Sequence, residues 1–140
     1  MPVASRWMIR AALVHLLLGF TAGALLLAAK GLGGAPALWS LRPLHVEWLL
    51  VGWTAQLTMG VAYWIFPRVA LRRDVSGSAA PAWFTFAALN AGVWLAGLGA
   101  IEPRAWNGAA VLGGRLLEVA AAAAFVTAMW RRVRPGLAQM

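Results

Sequence analysis

Leu41-Arg42-Pro43-Leu44-His45-Val46-Glu47-Trp48 opens an apolar run that continues through Gly52, Gln56, Met59 and Gly60 and closes at Tyr63-Trp64-Ile65-Phe66-Pro67-Arg68. A helix of about 20 residues, rising roughly 1.5 Å per residue, matches the ~30 Å hydrocarbon core of a bilayer, and this run is long enough. Pro43 suits a first helical turn, where its missing N–H is not needed. His45 follows within the first two turns. Reading this stretch as a transmembrane helix decides the fold class.

Working outward, three more runs have the same character. They cover about 8–32, 82–101 and 109–130, beside about 41–66 for the central one, and each is long enough to cross a membrane. At 62% hydrophobic and 11% charged, the 140-residue chain carries more apolar surface than a soluble domain of its size can hide. The expected fold is therefore all-α, a single membrane domain over 1–140 built as a four-helix transmembrane bundle. A basic start before the first run fits a signal peptide. That run is nevertheless too long for an h-region, and Lys30-Gly31-Leu32-Gly33-Gly34 offers no cleavage context, so it reads as a retained helix. The links are Gly31 to Ser40, Arg68 to Pro81, and Glu102-Pro103-Arg104 with Asn107-Gly108. Ser40 is a candidate N-cap for the second helix.

The net charge of +8 does not point to nucleic acid, because the arginines sit at the ends of apolar blocks and form no basic helical face. They set topology instead. Arg6, Arg10, Arg68, Arg72, Arg73, Arg131, Arg132 and Arg134 fall on one side, and Lys30, Arg42 and Arg104 on the other. Both termini are expected on the cytoplasmic side of a bacterial-type inner membrane, with His45 near the outer face. The absence of cysteine excludes disulfides, thiolate metal sites and c-type haem attachment. Among nine tryptophans, Trp7, Trp39, Trp64, Trp83, Trp106 and Trp130 lie near helix ends, as in an aromatic belt, while Trp48 and Trp53 are deeper and close to His45. Gly19 and Gly23, four apart, form a small-xxx-small pair that lets another helix come close.

An imidazole inside a membrane helix is costly without a partner, so His15 and His45 are both site candidates. For His15 the plainer reading is a bond to a neighbouring backbone carbonyl or a polar cavity. His45 has more context. Gly52, Gln56, Met59 and Tyr63 project close to its face, and a glycine one or two turns below a histidine clears room for a flat macrocycle, although a core helix produces the same stripe.

The motif Leu41-Arg42-Pro43-Leu44-His45, followed by a glycine-bearing apolar helix ending in aromatics and an arginine, resembles the second transmembrane helix of subunit I of haem-copper oxidases, especially the cbb-type branch. The resemblance covers about thirty residues and is thin elsewhere; as a whole the chain resembles a short four-helix fragment of that subunit. In that family the motif histidine is an axial ligand to a low-spin b haem near the outer face, and the resemblance implies that role, with iron as the metal, for His45. The family's other haem ligands and its copper ligands come from later helices, which have no counterpart here. A complete oxygen-reducing centre within one chain is thereby excluded, and whether the protein is an enzyme stays open.

His15 and His45 are about 15 Å apart in depth at 1.5 Å per residue, which is awkward for one haem within a protomer. Two arrangements stand: His45 from each of two protomers sharing a haem across a two-fold axis, or His45 with Met59, another side chain or nothing opposite. A symmetric homodimer is the favoured form. Arg42 and Arg115 are propionate candidates because guanidinium forks suit carboxylates, with an Arg115 pair to Glu118 on its own helix equally weighted. Glu47, Gln56 and Asn90 offer further polar contacts. The functional expectation is a membrane b-type haem protein that passes electrons between a quinol pool or redox partner and another centre, or binds a diatomic gas. The alternative is a cofactor-free accessory or assembly protein that docks on a respiratory complex. The topology is checked by terminal reporter fusions: phosphatase fused at either end stays inactive, and periplasmic activity at either end overturns the assignment.

Overall fold

The computed structural model describes residues 1–33, 36–66, 79–101 and 107–130, and these are helical almost throughout. Helix α1 spans Val3–Leu32. A 3₁₀ segment, Pro36–Leu41, leads into a second rod built of three pieces in direct succession: α2 (Arg42–Glu47), a π-helical segment (Trp48–Ala55) and α3 (Gln56–Ile65). Helices α4 (Ala80–Gly99) and α5 (Asn107–Trp130) complete a set of four rods. The fold is all-helical with the expected number of rods. Pro67, Arg68, Arg72, Arg73, Asp74, Glu102, Pro103, Arg104, Trp106, Arg131, Arg132 and Arg134 lie outside the described residues.

Element ends follow local chemistry, with two departures from expectation. Helix α1 begins at Val3 rather than near Met8, after an extended Pro2, so Arg6 and Arg10 stand inside its first turns. The Arg10 guanidinium lies 5.5 Å from the centre of the Trp7 ring, one turn back, which gives that charge a partner within the helix. Gly33 closes α1 in the left-handed region at φ 64°, a conformation only glycine adopts without penalty. Ser40 does not cap the second rod. It belongs to the 3₁₀ segment, where its hydroxyl donates to the Ala37 carbonyl at 2.7 Å, and the cap position falls to Leu41 without a side-chain bond. Pro43 and Pro81 each occupy a first helical turn.

The apolar pattern predicts an unbroken α-helix through the second rod, but residues 48–55 are π-helical. Hydrogen bonding there reaches from i to i+5, and the Thr54 hydroxyl likewise donates to the Leu49 carbonyl five residues back, at 2.8 Å.

Helix α1 runs antiparallel to the second rod. Along their seam the Ser5 hydroxyl donates to the Gly60 carbonyl at 2.5 Å, the His15 Nδ1–H to the Gly52 carbonyl at 3.2 Å, and the His45 Nδ1–H to the Gly19 carbonyl at 2.8 Å. Glycines make this proximity physically feasible: a Cβ at Gly60 would stand 2.9 Å from the Met8 Cβ, and one at Gly19 would stand 2.5 Å from a Leu49 methyl. Helix α4 packs on the second rod and forms its most extensive contact with α5. A Cβ at Gly114 would meet the Ala96 backbone nitrogen at 2.5 Å, and one at Gly92 the Gly114 carbonyl oxygen at 2.9 Å, so these two helices touch backbone to backbone.

The exterior is apolar. Leu17, Leu27, Leu112, Leu116 and Val119 are among many large hydrophobic side chains left exposed. Val3–Leu32, Ala80–Gly99 and Gly108–Trp130 are long and apolar enough to cross a membrane. Trp7, Trp39, Trp64, Trp83 and Trp130 are all exposed near rod ends, and this surface fits a lipid environment. Replacing Gly114 by leucine is expected to destabilise the α4–α5 contact by about 1–3 kcal/mol or more, through overpacking against backbone. Gly113→Ala, whose Cβ would meet only a Leu95 methyl at 3.4 Å, is expected to be near neutral. Denaturant titration of both variants in detergent checks the contrast.

Candidate functional site: two seam histidines and a buried ion-pair cluster

His45 lies part-buried where α2 meets α1. A carbonyl only accepts, so the bond to Gly19 places the imidazole proton on Nδ1 and leaves the Nε2 lone pair unused by that contact. This is the arrangement in which a backbone oxygen orients a ligating histidine. Gly23 makes room beside it: a Cβ there would lie 2.6 Å from Cε1 and 3.5 Å from Nε2 of the ring. The Gly19 and Gly23 pair thus does more than bring helices together. It receives the ring.

His15 is 2% exposed and makes the reciprocal contact, from α1 to the second rod. The Gln56 amide lies beside its ring, and the Trp94 ring is 6.1 Å away at 48°, itself in edge contact with Trp48 at 5.3 Å. A Cβ at Gly52 would stand 2.7 Å from His15 Cγ. Gly52 therefore clears space on the expected face, but the His15 imidazole fills that space, so Gly52 is not a macrocycle contact beneath His45. His15 takes the plainer of its two roles, bonding a backbone carbonyl. Because it meets Gly52, seven residues along the rod from His45, the two rings differ in level by roughly 10 Å rather than about 15 Å. That is still too far for two ligands of one iron.

Met59 is not opposite His45 either. It packs with the buried Ala4, Met8 and Tyr63 near the start of α1, on the same rod as His45 and about 20 Å further along it. Trp53 sits edge-on to Phe20 at 6.5 Å, on the same seam as His45. Asn90 bonds the Phe86 carbonyl of its own helix at 2.7 Å.

The two arginines line one pocket. Arg115 on α5 reaches across to Glu47 on α2 with a paired contact, Nη1 to Oε1 at 2.9 Å and Nη2 to Oε2 at 2.7 Å, and Nη1 also donates to Glu118 at 2.8 Å. The pairing with Glu118 is thus present, joined by a second carboxylate from another rod. Glu47 is 5% exposed at its side chain while Arg115 is 50% exposed. Both line, with Arg42, Pro43, Val46, Ala96, Gly97 and Ala100, a pocket of about 320 Å³. His45, two residues before Glu47, faces α1 on a different side of the rod.

The cross-rod role of Glu47 is not evident from its immediate sequence neighbours. A signal for it exists: Glu47 and Arg115 are both charges inside apolar runs, and such charges need partners. Nothing local to the sequence distinguishes Ser5, whose wholly buried hydroxyl ties α1 to α3. Among the described residues no group of three or more His, Asp or Glu side chains gathers as a metal site.

The fold and these contacts define a class: an all-helical protein with an apolar exterior, two histidines engaged across one helix seam, and an ion-paired cluster at the opposite face of the same rod. Comparison with protein-family models, characterised proteins and solved structures finds no match. Removing Arg115 strands the buried Glu47, and removing Glu47 takes from Arg115 its cross-rod carboxylate and leaves it Glu118 alone. Glu47→Ala is expected to lower stability by about 1–3 kcal/mol, and the Glu47→Ala, Arg115→Ala double variant is expected to cost less than the two single losses added. Unfolding free energies of the three variants check the coupling.

Proposed function

We propose that this is an integral membrane protein that carries a b-type haem on Nε2 of His45, as the resemblance of its Leu41–His45 motif implies. The observation that carries the reading is the 2.8 Å bond from His45 Nδ1–H to the Gly19 carbonyl, which fixes the tautomer and leaves Nε2 available. Gly23 supports that orientation, because the imidazole lies in the space that a Cβ there would fill. The chain has only one other histidine, and His15 is committed to Gly52 at another level. A second histidine ligand, if the haem took one, would have to come from outside the protomer, and a symmetric homodimer would supply it as the partner subunit's His45.

In this reading α1 and the second rod orient the imidazole, and their apolar surroundings exclude water from the iron and so set its potential. Bound haem supplies a one-electron iron couple for exchange with a quinol or redox protein, or with one axial position open, a site for a diatomic gas. Arg115 is taken up by Glu47 and Glu118 and is not assigned to a propionate.

One observation favours a second reading. Both histidines make the same kind of bond, each to a carbonyl of the opposite rod, so His45 serves as a helix-to-helix tie even with no cofactor. The protein is then a cofactor-free accessory component of a respiratory complex. Optical spectra of protein purified in mild detergent, oxidised and then reduced, separate the two. Sharp reduced α and β bands with half a haem per chain are expected, and His45→Ala and Gly23→Leu should each abolish or shift the Soret band. Colourless protein after expression with ample haem overturns the haem reading in favour of the accessory one.

A further inference from the structure

The pocket between α2, α4 and α5 is the part of the molecule that the haem reading leaves unexplained. Its walls are Pro43 and Val46 from one rod and Ala96, Gly97 and Ala100 from another, and its charged groups are Arg42, Glu47 and Arg115. Both carboxylate oxygens of Glu47 are spent on Arg115. Among the described residues Arg42 has no ion-pair or hydrogen-bond partner, and it is exposed at the mouth of the pocket. Arg115 is neutralised by Glu47 and Glu118 together, so Arg42 is the one cation of the lining that no described carboxylate pairs. A concave apolar wall with a few converging polar groups is the usual form of a small-ligand site.

Position narrows the ligand. Arg42 starts α2, and Ala100 follows the last residue of α4, so the pocket lies at an end of the bundle, next to the exposed apolar flanks of Val46 and Leu98. At a bilayer surface that level holds lipid headgroups. An arginine with no carboxylate partner at that level suits an anionic headgroup, and a phosphodiester offers the guanidinium of Arg42 one negative charge and acceptor oxygens.

We infer that the Arg42–Arg115 pocket binds the phosphodiester headgroup of one anionic phospholipid, with Arg42 as its principal contact and the Pro43, Val46 and Ala100 wall against the first carbons of the lipid. Arg115, held by Glu47 and Glu118, keeps the back of the pocket fixed. The inference shares with the proposed function only the bilayer, and not the haem.

The test uses the full chain in nanodiscs of phosphatidylcholine, with and without phosphatidylglycerol, read by native mass spectrometry and by thermal unfolding. One phosphatidylglycerol should be retained per chain, with an accompanying rise in melting temperature. Arg42→Gln should weaken retention roughly fivefold, the usual weight of one basic residue at a lipid surface. Ala100→Trp, which fills the pocket and keeps every charge, should weaken it too, whereas Lys30→Gln, a cation of α1 outside the lining, should not. Equal retention of the two lipids, or equal loss in the Lys30 variant, overturns the site. An equal rise with inorganic phosphate in phosphatidylcholine alone overturns the lipid assignment. Haem-free preparations should behave alike, so failure of the haem reading and failure of this one are separately visible.

Discussion

Side-chain donors bonded to backbone carbonyls across the α1 seam are the constraint on which the rest of the structure depends. Ser5 to Gly60, His15 to Gly52 and His45 to Gly19 fall at successive levels of one antiparallel register. A slip of one residue breaks all three. Each carbonyl belongs to a helix, so it gives its second lone pair to the neighbouring rod. In an apolar surround no water competes for these groups, and a polar side chain left without a partner is costly. Glycine is required where a ring must lie against a backbone. Gly23 and Gly52 are the two places where a Cβ would strike an imidazole.

The opposite face of the second rod is held differently. There α4 and α5 join through small residues, and the Glu47–Arg115 pair reaches past α4 to tie α5 to α2. A charge pair in this setting gives direction more than strength, because desolvation offsets much of its Coulomb attraction. Its effect is to place a fixed guanidinium at the back of a pocket. One rod thus presents imidazole chemistry to α1 and ion-pair chemistry to α5.

The π-helical segment begins directly after Glu47, and within it Gly52 meets His15 and Trp48 meets Trp94. Segments of this kind are rare and often mark functional positions. Nothing in the apolar run announces it, since a hydrophobic sequence is equally compatible with i+4 and i+5 bonding. The carbonyl that His15 uses lies within it.

Length and hydropathy by themselves determined the number of rods, their approximate bounds and the apolar exterior, because a run of apolar residues of that length has few other ways to satisfy its backbone. The sequence also singled out both histidines, Gly19 with Gly23, and the Arg115–Glu118 spacing, each of which is a local or single-helix property. Tertiary structure alone decided which groups meet. It put His15 into the gap left by Gly52, turned Met59 into the core beside Met8, and joined Arg115 to Glu47 of another rod, in a pocket that Arg42 also lines. The reason is physical: a helical projection orders residues around one axis, but partner choice depends on the register and rotation of a second helix. Those are fixed by close backbone contacts between residues distant in the chain.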